Sequence, residues 1–261
     1  MPLTPRPWPL PSAPWVMRMR WLELLFAHWR LDSNAARRIR SLLPAGLNLD
    51  TFDGHAYIGA VPFFMENVTP RFVPPFPGLH AFPELNLRTY VTAGGKPGVW
   101  FFSLDAGGKL AVRVARRFFH LPYFDAAFRV EIARAVNYRC TRTHRGSPPA
   151  AFDATYRPIG DPYRAQPGSL DHWLTGRYCF YSANSAHVVF RAEIDHEPWP
   201  LQRAEAEIRF NTLGDWLGIP MRGEPGALHF SRRLDVHAWM IHRLADADTP
   251  PSTAPPETLS W

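Results

Sequence analysis

Cysteine and lysine are both scarce in this chain. Of 261 residues only two are cysteine, and of the 29 basic residues only Lys96 and Lys109 are lysines, which leaves 27 arginines. Cys140 and Cys179 show no CxxC or Cys/His ligand spacing. Neither a disulfide framework nor a metal centre is therefore indicated, and a reducing cytoplasm is the expected compartment. Long hydrophobic runs are missing as well. The longest apolar-rich stretch, Trp21 to Trp29, is interrupted by Glu23 and His28 and falls far short of the roughly 20 residues that a membrane helix needs. The N-terminal residues are rich in proline and tryptophan but lack the apolar core of a secretory signal. Ser103, Ser169 and Ser182 have no GxSxG context, and Gly94-Gly95 and Gly107-Gly108 open no phosphate-loop pattern. A serine hydrolase triad and a nucleotide-phosphate site thus have no support, and no cofactor is implied.

Proline, in contrast, is abundant: 28 of 261 residues, against a usual share of about 5%. Six fall in the first fourteen residues and four more between Pro250 and Pro256. The interior prolines argue against long helices and for short strands joined by turns. Net charge is 29 minus 23, or +6. The basic clusters at Arg37, Arg38 and Arg40, at Arg113, Arg116 and Arg117, and at Arg232 and Arg233 read as solvated faces rather than a nucleic-acid groove. No recognisable nucleic-acid module accompanies them.

Residues 1–14 read as a flexible proline-rich arm, 15–244 as one barrel-like domain, and 245–261 as a disordered Pro/Thr/Ser-rich tail. Leu22–Leu31 reads as a buried strand, and Ser33 as the N-cap of a short helix with Ala36, Ile39, Leu42 and Leu43 on one face. Asp53-Gly54 marks a turn before a strand over His55–Phe64, which Pro62 places near an edge or bulge. Residues 67–83 read as a long irregular loop. Glu84–Val91 and Gly98–Leu104 flank a Gly94-Gly95 turn as a hairpin, and Lys109–Phe119 is a short amphipathic helix. Further strands are expected at Ala127–Ala133, Val136–Thr143, Phe152–Arg157, Tyr178–Ser182, His187–Ile194 and 204–211. A last strand pair falls within Ala227–Leu244, and Ser169 caps a helical turn. Many short strands, few helices and no βαβ rhythm indicate an α+β, mainly antiparallel β fold. Such strands avoid exposed edges best in a closed or half-closed barrel.

The segment from Leu79 to Asp125 is the most informative. Glu84, Asn86, Arg88 and Tyr90 share one face of their strand, and Leu85, Leu87, Thr89 and Val91 the other. Turned into a barrel, the polar face gives Arg88 to clamp a small carboxylate, Asn86 and Tyr90 to hydrogen-bond it, and Glu84 as a general base. Turned outward, the same residues are a solvated Glu/Arg pair. His28, on an apolar strand, is either cavity lining or a hydrogen-bonded core histidine. Glu193, Asp195, His196 and Glu197 suggest a metal cluster, but a strand puts His196 opposite the carboxylates and no second histidine follows at fixed spacing. They read as a charged hairpin end, without a metal. Glu205 and Glu207 read as a solvated pair.

Several blocks carry a family likeness. They include Leu25-Phe26-Ala27-His28-Trp29, Asp50-Thr51-Phe52-Asp53-Gly54, Phe82-Pro83-Glu84-Leu85-Asn86-Leu87-Arg88-Thr89-Tyr90-Val91, Thr175-Gly176-Arg177-Tyr178-Cys179 and His196-Glu197-Pro198-Trp199-Pro200-Leu201-Gln202. Through them the chain resembles, from about Arg20 to Leu244, the YqjF-like family of uncharacterised bacterial proteins. It is more distantly similar to acetoacetate decarboxylase, which implies an antiparallel barrel-like fold around a central cavity. That resemblance puts Glu84 at the place of a pocket glutamate, Arg20 near that of a functional arginine, and Leu121-Pro122-Tyr123-Phe124 where paired lysines are expected. Tyr123 and His120 then occupy or flank the missing lysines, and without a primary amine there no imine can form. The expected function is binding of a small organic acid or keto compound in a barrel cavity without Schiff-base chemistry. Two alternatives stay open: a lyase- or isomerase-type enzyme with Glu84 as general base, and an arginine-mediated nucleic-acid or protein interaction module. A homo-oligomer is open as well, and no membrane partner is expected.

Overall fold

The computed structural model describes residues 6–72 and 80–244, except for the side chains of residues 109–111, 114 and 115. Among the described residues thirteen strands form one sheet. Those of the first half are β1 (Met17–Arg30), β2 (Asn48–Leu49), β3 (Tyr57–Pro70), β4 (Ala81–Ala93), β5 (Lys96–Ala106), β6 (Tyr123–Ile132) and β7 (Val136–Arg142). The second half supplies β8 (Ala151–Tyr163), β9 (Cys179–Ala183), β10 (Val189–His196), β11 (Leu201–Asn211), β12 (Ala227–Ala238) and β13 (His242–Arg243). Among the described residues three α-helices, α1 (Ser33–Leu42), α2 (Lys109–Phe119) and α3 (Leu170–Thr175), join them.

The sheet closes on itself twice. Pairing of β4 with β5 completes a ring through β6, β7, β8, β11, β12, β1 and β3; pairing of β10 with β12 completes a second ring through β9, β5, β4, β3 and β1. The two rings share a seam, which explains why its strands are apolar on both faces. Along β1, Leu25 and Ala27 enter one core while Leu24 and Phe26 enter another. The first ring is packed with Phe102, Tyr138, Phe152, Tyr156 and Phe230, all buried. The second encloses the cavity described below.

Most pairings are antiparallel, but β5 runs parallel to both β6 and β9. The β5–α2–β6 connection is therefore a βαβ unit, where the sequence pattern led us to expect none. The Gly94-Gly95 hairpin turn and the α2 boundaries agree with the expected ones, both glycines taking positive φ (55° and 71°) as a two-residue turn requires. Ser169 accepts from His172 N at the start of α3, as its position suggested, whereas α1 is capped by Asp32 and not by Ser33. Pro62 lies in a strand paired on both sides, opposite a β1 bulge at Glu23 (φ 50°). The bulge spares β1 the hydrogen-bond donor that proline lacks. Of the expected loop over 67–83, β3 occupies residues as far as Pro70 and β4 begins at Ala81, while 73–79 lie outside the described residues. The Ala227–Leu244 pair does not exist as such: β12 pairs with β1, β10 and β11, and β13 with β10. The arm packs from Arg6 onward, since Arg6 and the indole of Trp8 both hold Glu193. Residues 1–5 and the tail 245–261 are outside the described residues.

Candidate functional site

The second ring holds a cavity of about 170 Å³. Its wall is mostly hydrocarbon and aromatic, with Trp21, Phe26, Phe63, Phe101, Phe180 and Trp199 prominent. Strand alternation sends Glu84, Asn86 and Arg88 of β4 into it, while Leu85 and Leu87 fill the first ring. Tyr90 continues the polar face but sits beyond the cavity in a small cluster with Tyr57, Val99 and Leu174. A bulge in β5 interrupts its alternation, so Phe101 and Leu104, three residues apart, both line the cavity while Phe102 faces the first ring.

Glu84 is 2% exposed. The Tyr123 hydroxyl donates to its Oε2 at 2.8 Å, and the Tyr138 hydroxyl donates to its backbone carbonyl at 2.7 Å. Burial pushes the Glu84 carboxyl up to about 8, with the Asp105 charge adding to the rise and the Tyr123 bond opposing it. At neutral pH it is mostly protonated. The parallel β5–β6 pairing aligns Leu104 with Tyr123 and so brings Tyr123 to the cavity beside Glu84. Burial and the Glu84 carboxylate raise the Tyr123 phenol well above its ordinary value.

Arg88 stands four residues along β4 from Glu84, about 13 Å at the strand rise. Its guanidinium carbon lies 5.0 Å from the Phe26 ring centroid, and its Nη2 donates to the Tyr90 hydroxyl at 3.3 Å. Its Nε is buried and unpartnered, and none of the ion pairs among the described residues involves it. Tyr90 OH meets His28 Nε2 at 2.6 Å; burial first, then the Arg88 and His229 charges, hold His28 well below the usual imidazole range, so it is neutral. His28 is fully buried but is not part of the cavity wall.

Arg177 and Trp199, not singled out as site residues from the sequence, also reach the cavity, as does His196, weighed there only within an acidic cluster. Arg177 is 4% exposed, donates to Asp50 Oδ2 at 2.6 Å, and lies 4.8 Å from the Tyr90 ring. His196 lies between Tyr178 and Trp199, with Nδ1 2.8 Å from the Glu197 carbonyl, and burial lowers its pKa. Trp199 lies in the same wall. Arg177, His196 and Trp199 all fall in blocks that carry the family likeness. That was the signal available, but the chain gives no local hint that they converge.

The remaining expected residues lie elsewhere. Arg20 pairs with Asp235 at 2.7 Å, and His120 packs on Phe190 with ring centroids 4.9 Å apart; neither lines the cavity. Glu193, read from the sequence as part of a charged hairpin end, is 3% exposed and is held by Arg6, Lys96 and Arg191. Among the described residues no group of ligating side chains is able to hold a metal, and no lysine lines the cavity. Several of the basic-cluster arginines are spoken for: Arg113 pairs with Asp125, Arg232 with Glu23 and Arg233 with Asp235.

In fold, this twice-closed sheet is similar to the acetoacetate decarboxylase-like proteins. MppR, an enduracididine biosynthesis enzyme, superposes with TM-score 0.62 at 14% identity, covering 90% of this chain and 89% of that one; it has also been solved with pyruvate bound. An acetoacetate decarboxylase-like enzyme from Sphingomonas wittichii RW1 gives TM-score 0.58 at 13% identity over 89% and 94%. Within this fold the chain belongs to the DUF2071 family, described as an uncharacterised conserved protein, whose pattern matches residues 18–235. It is 46% identical over 235 residues to the uncharacterised protein YqjF of Bacillus subtilis (strain 168), covering 90% of this chain and 95% of that protein.

Proposed function

We propose that the protein binds a small organic acid or keto compound in the second-ring cavity, with Arg88 as the anchor for its carboxylate. The carrying observation is the charge balance of the wall. Arg177 is neutralised by Asp50, burial holds the pKa of His196 below the usual imidazole value, and Glu84 holds its proton at neutral pH. Among the described residues this leaves one partly buried guanidinium of the wall, that of Arg88, without a counter-charge, which an anion would supply. The pyruvate complex of MppR, a protein of the same fold, supports a carboxylate-bearing ligand. The test is calorimetric titration of monocarboxylic and keto acids into wild type and Arg88→Met. Loss of a charged hydrogen bond is worth about 10- to 100-fold in affinity. Equal affinities for the two proteins would refute the anchor.

Glu84 favours a second reading, proton transfer next to a carbonyl. A carboxyl that titrates at about 8 and is oriented by Tyr123 suits general acid–base work near neutrality. Solvent-deuterium exchange into bound keto acids should then rise through pH 8 as Glu84 ionises and vanish in Glu84→Gln. Persistent exchange in that variant rules the role out. The buried free thiols Cys140 and Cys179 are consistent with a cytoplasmic setting, which we propose, and among the described residues no helix is long and apolar enough to cross a membrane.

A further inference from the structure

The shape and polarity of the cavity say more about the ligand than that it is an acid. Trp21 and Trp199 stack at 5.7 Å with their planes 17° apart, Trp199 meets Phe26 edge-on at 4.8 Å, and Phe26 carries the Arg88 guanidinium at 5.0 Å. These four side chains form a continuous aromatic wall that ends in a cation. Along it, the indole Nε1 atoms of Trp21 and Trp199 and the Nε of Arg88 are all buried without a hydrogen-bond partner. Buried donors of this kind are costly to leave unpaired. Three of them along one cavity wall mark a place where a ligand brings acceptors.

Size points the same way. An engineered apolar cavity of about 150 Å³ takes up benzene, and this one measures about 170 Å³. A three-carbon acid spans only about 5 Å. Pinned at Arg88, it would leave most of the distance to Glu84 unfilled and the aromatic wall uncovered. A single uncompensated guanidinium suits a monoanion, whereas a dicarboxylate or phosphate would bring charge that nothing in the wall neutralises.

We propose that the ligand is an aryl monocarboxylate, with a flat apolar body lying along Trp21, Trp199 and Phe26, its carboxylate on Arg88, and a keto or similar oxygen accepting from an indole N–H. This rests on the carboxylate site argued above and names its ligand class; Trp199 becomes a specificity-determining residue. Burying a phenyl group is worth about 10- to 100-fold in affinity.

The test compares pyruvate, phenylpyruvate, 3-phenylpropionate and the neutral 3-phenylpropanamide by calorimetry on the full chain. The aryl acids should bind about 10- to 100-fold more tightly than pyruvate, and phenylpyruvate more tightly than 3-phenylpropionate. The amide should be weakened to the level the acids show in Arg88→Met. Trp199→Leu, or Trp21→Leu should the first variant fold poorly, should remove the aryl preference, weakening phenylpyruvate and 3-phenylpropionate by about 10-fold or more and by more than it weakens pyruvate. If pyruvate binds as tightly as the aryl acids while Arg88→Met still weakens both, the aryl class is wrong and the carboxylate site stands. If Arg88→Met changes nothing, the site itself falls and this inference with it.

Discussion

Replacing Glu84 with glutamine tests the electrostatics of the cavity. The carboxyl titrates near 4.5 in the unfolded chain and at about 8 in the folded one, where burial opposes its charge. The folded protein therefore holds this proton more tightly than the unfolded chain. Its contribution to stability is fully present below pH 4.5 and is lost as pH rises through 8. Each tenfold difference in proton affinity is worth about 1.4 kcal/mol, so between pH 5 and pH 8 ionisation of Glu84 withdraws about 3 kcal/mol from wild type. Glutamine keeps an oxygen that accepts from the Tyr123 hydroxyl but carries no titrating group. Urea denaturation at pH 5 and pH 8 should accordingly show Glu84→Gln gaining about 3 kcal/mol on wild type over that interval. Parallel pH profiles for the two proteins would mean that Glu84 is hydrated and titrates as an ordinary carboxylate. The proton-transfer reading would then lose its basis.

Two other substitutions probe the rings. Asp105 and Arg142 form a pair at 2.6 and 2.7 Å with both side chains 1% exposed, so Asp105→Asn, which strands a buried guanidinium, should cost about 3–5 kcal/mol in chemical denaturation; a loss below 1 kcal/mol would show that water reaches the pair. At Gly98 a Cβ would sit 2.7 Å from Cys179 Sγ and 2.8 Å from the Cys179 carbonyl oxygen, so Gly98→Ala should lower stability by about 2 kcal/mol, read as a fall in melting temperature. An unchanged melting temperature would mean that β5 and β9 do not approach so closely.

What the sequence made legible was local. The Gly94-Gly95 hairpin, the α2 limits and the polar face from Glu84 to Arg88 follow from turn chemistry and from periods of 2 and 3.6, which a single segment carries. What stayed hidden depended on distant partners. The bulges at Glu23 and Phe102 shift which residues face which ring, and no turn residue marks them. The parallel pairing that sets Tyr123 beside Glu84 joins strands across a helix, so it shows only once β5 and β6 are placed side by side. Tyr90 kept its place on the face yet left the cavity wall, because the ring ends before it. The burial of Glu193 stayed hidden because its partners Arg6 and Lys96 lie 187 and 97 residues away.

The most direct test of the anchor is a crystal structure of the protein soaked with 3-phenylpropionate. The account predicts carboxylate oxygens within about 3 Å of the Arg88 guanidinium nitrogens and the ring against Trp199. An acid bound with its carboxylate at Glu84, or only on the outer surface with Arg88 untouched, would contradict it.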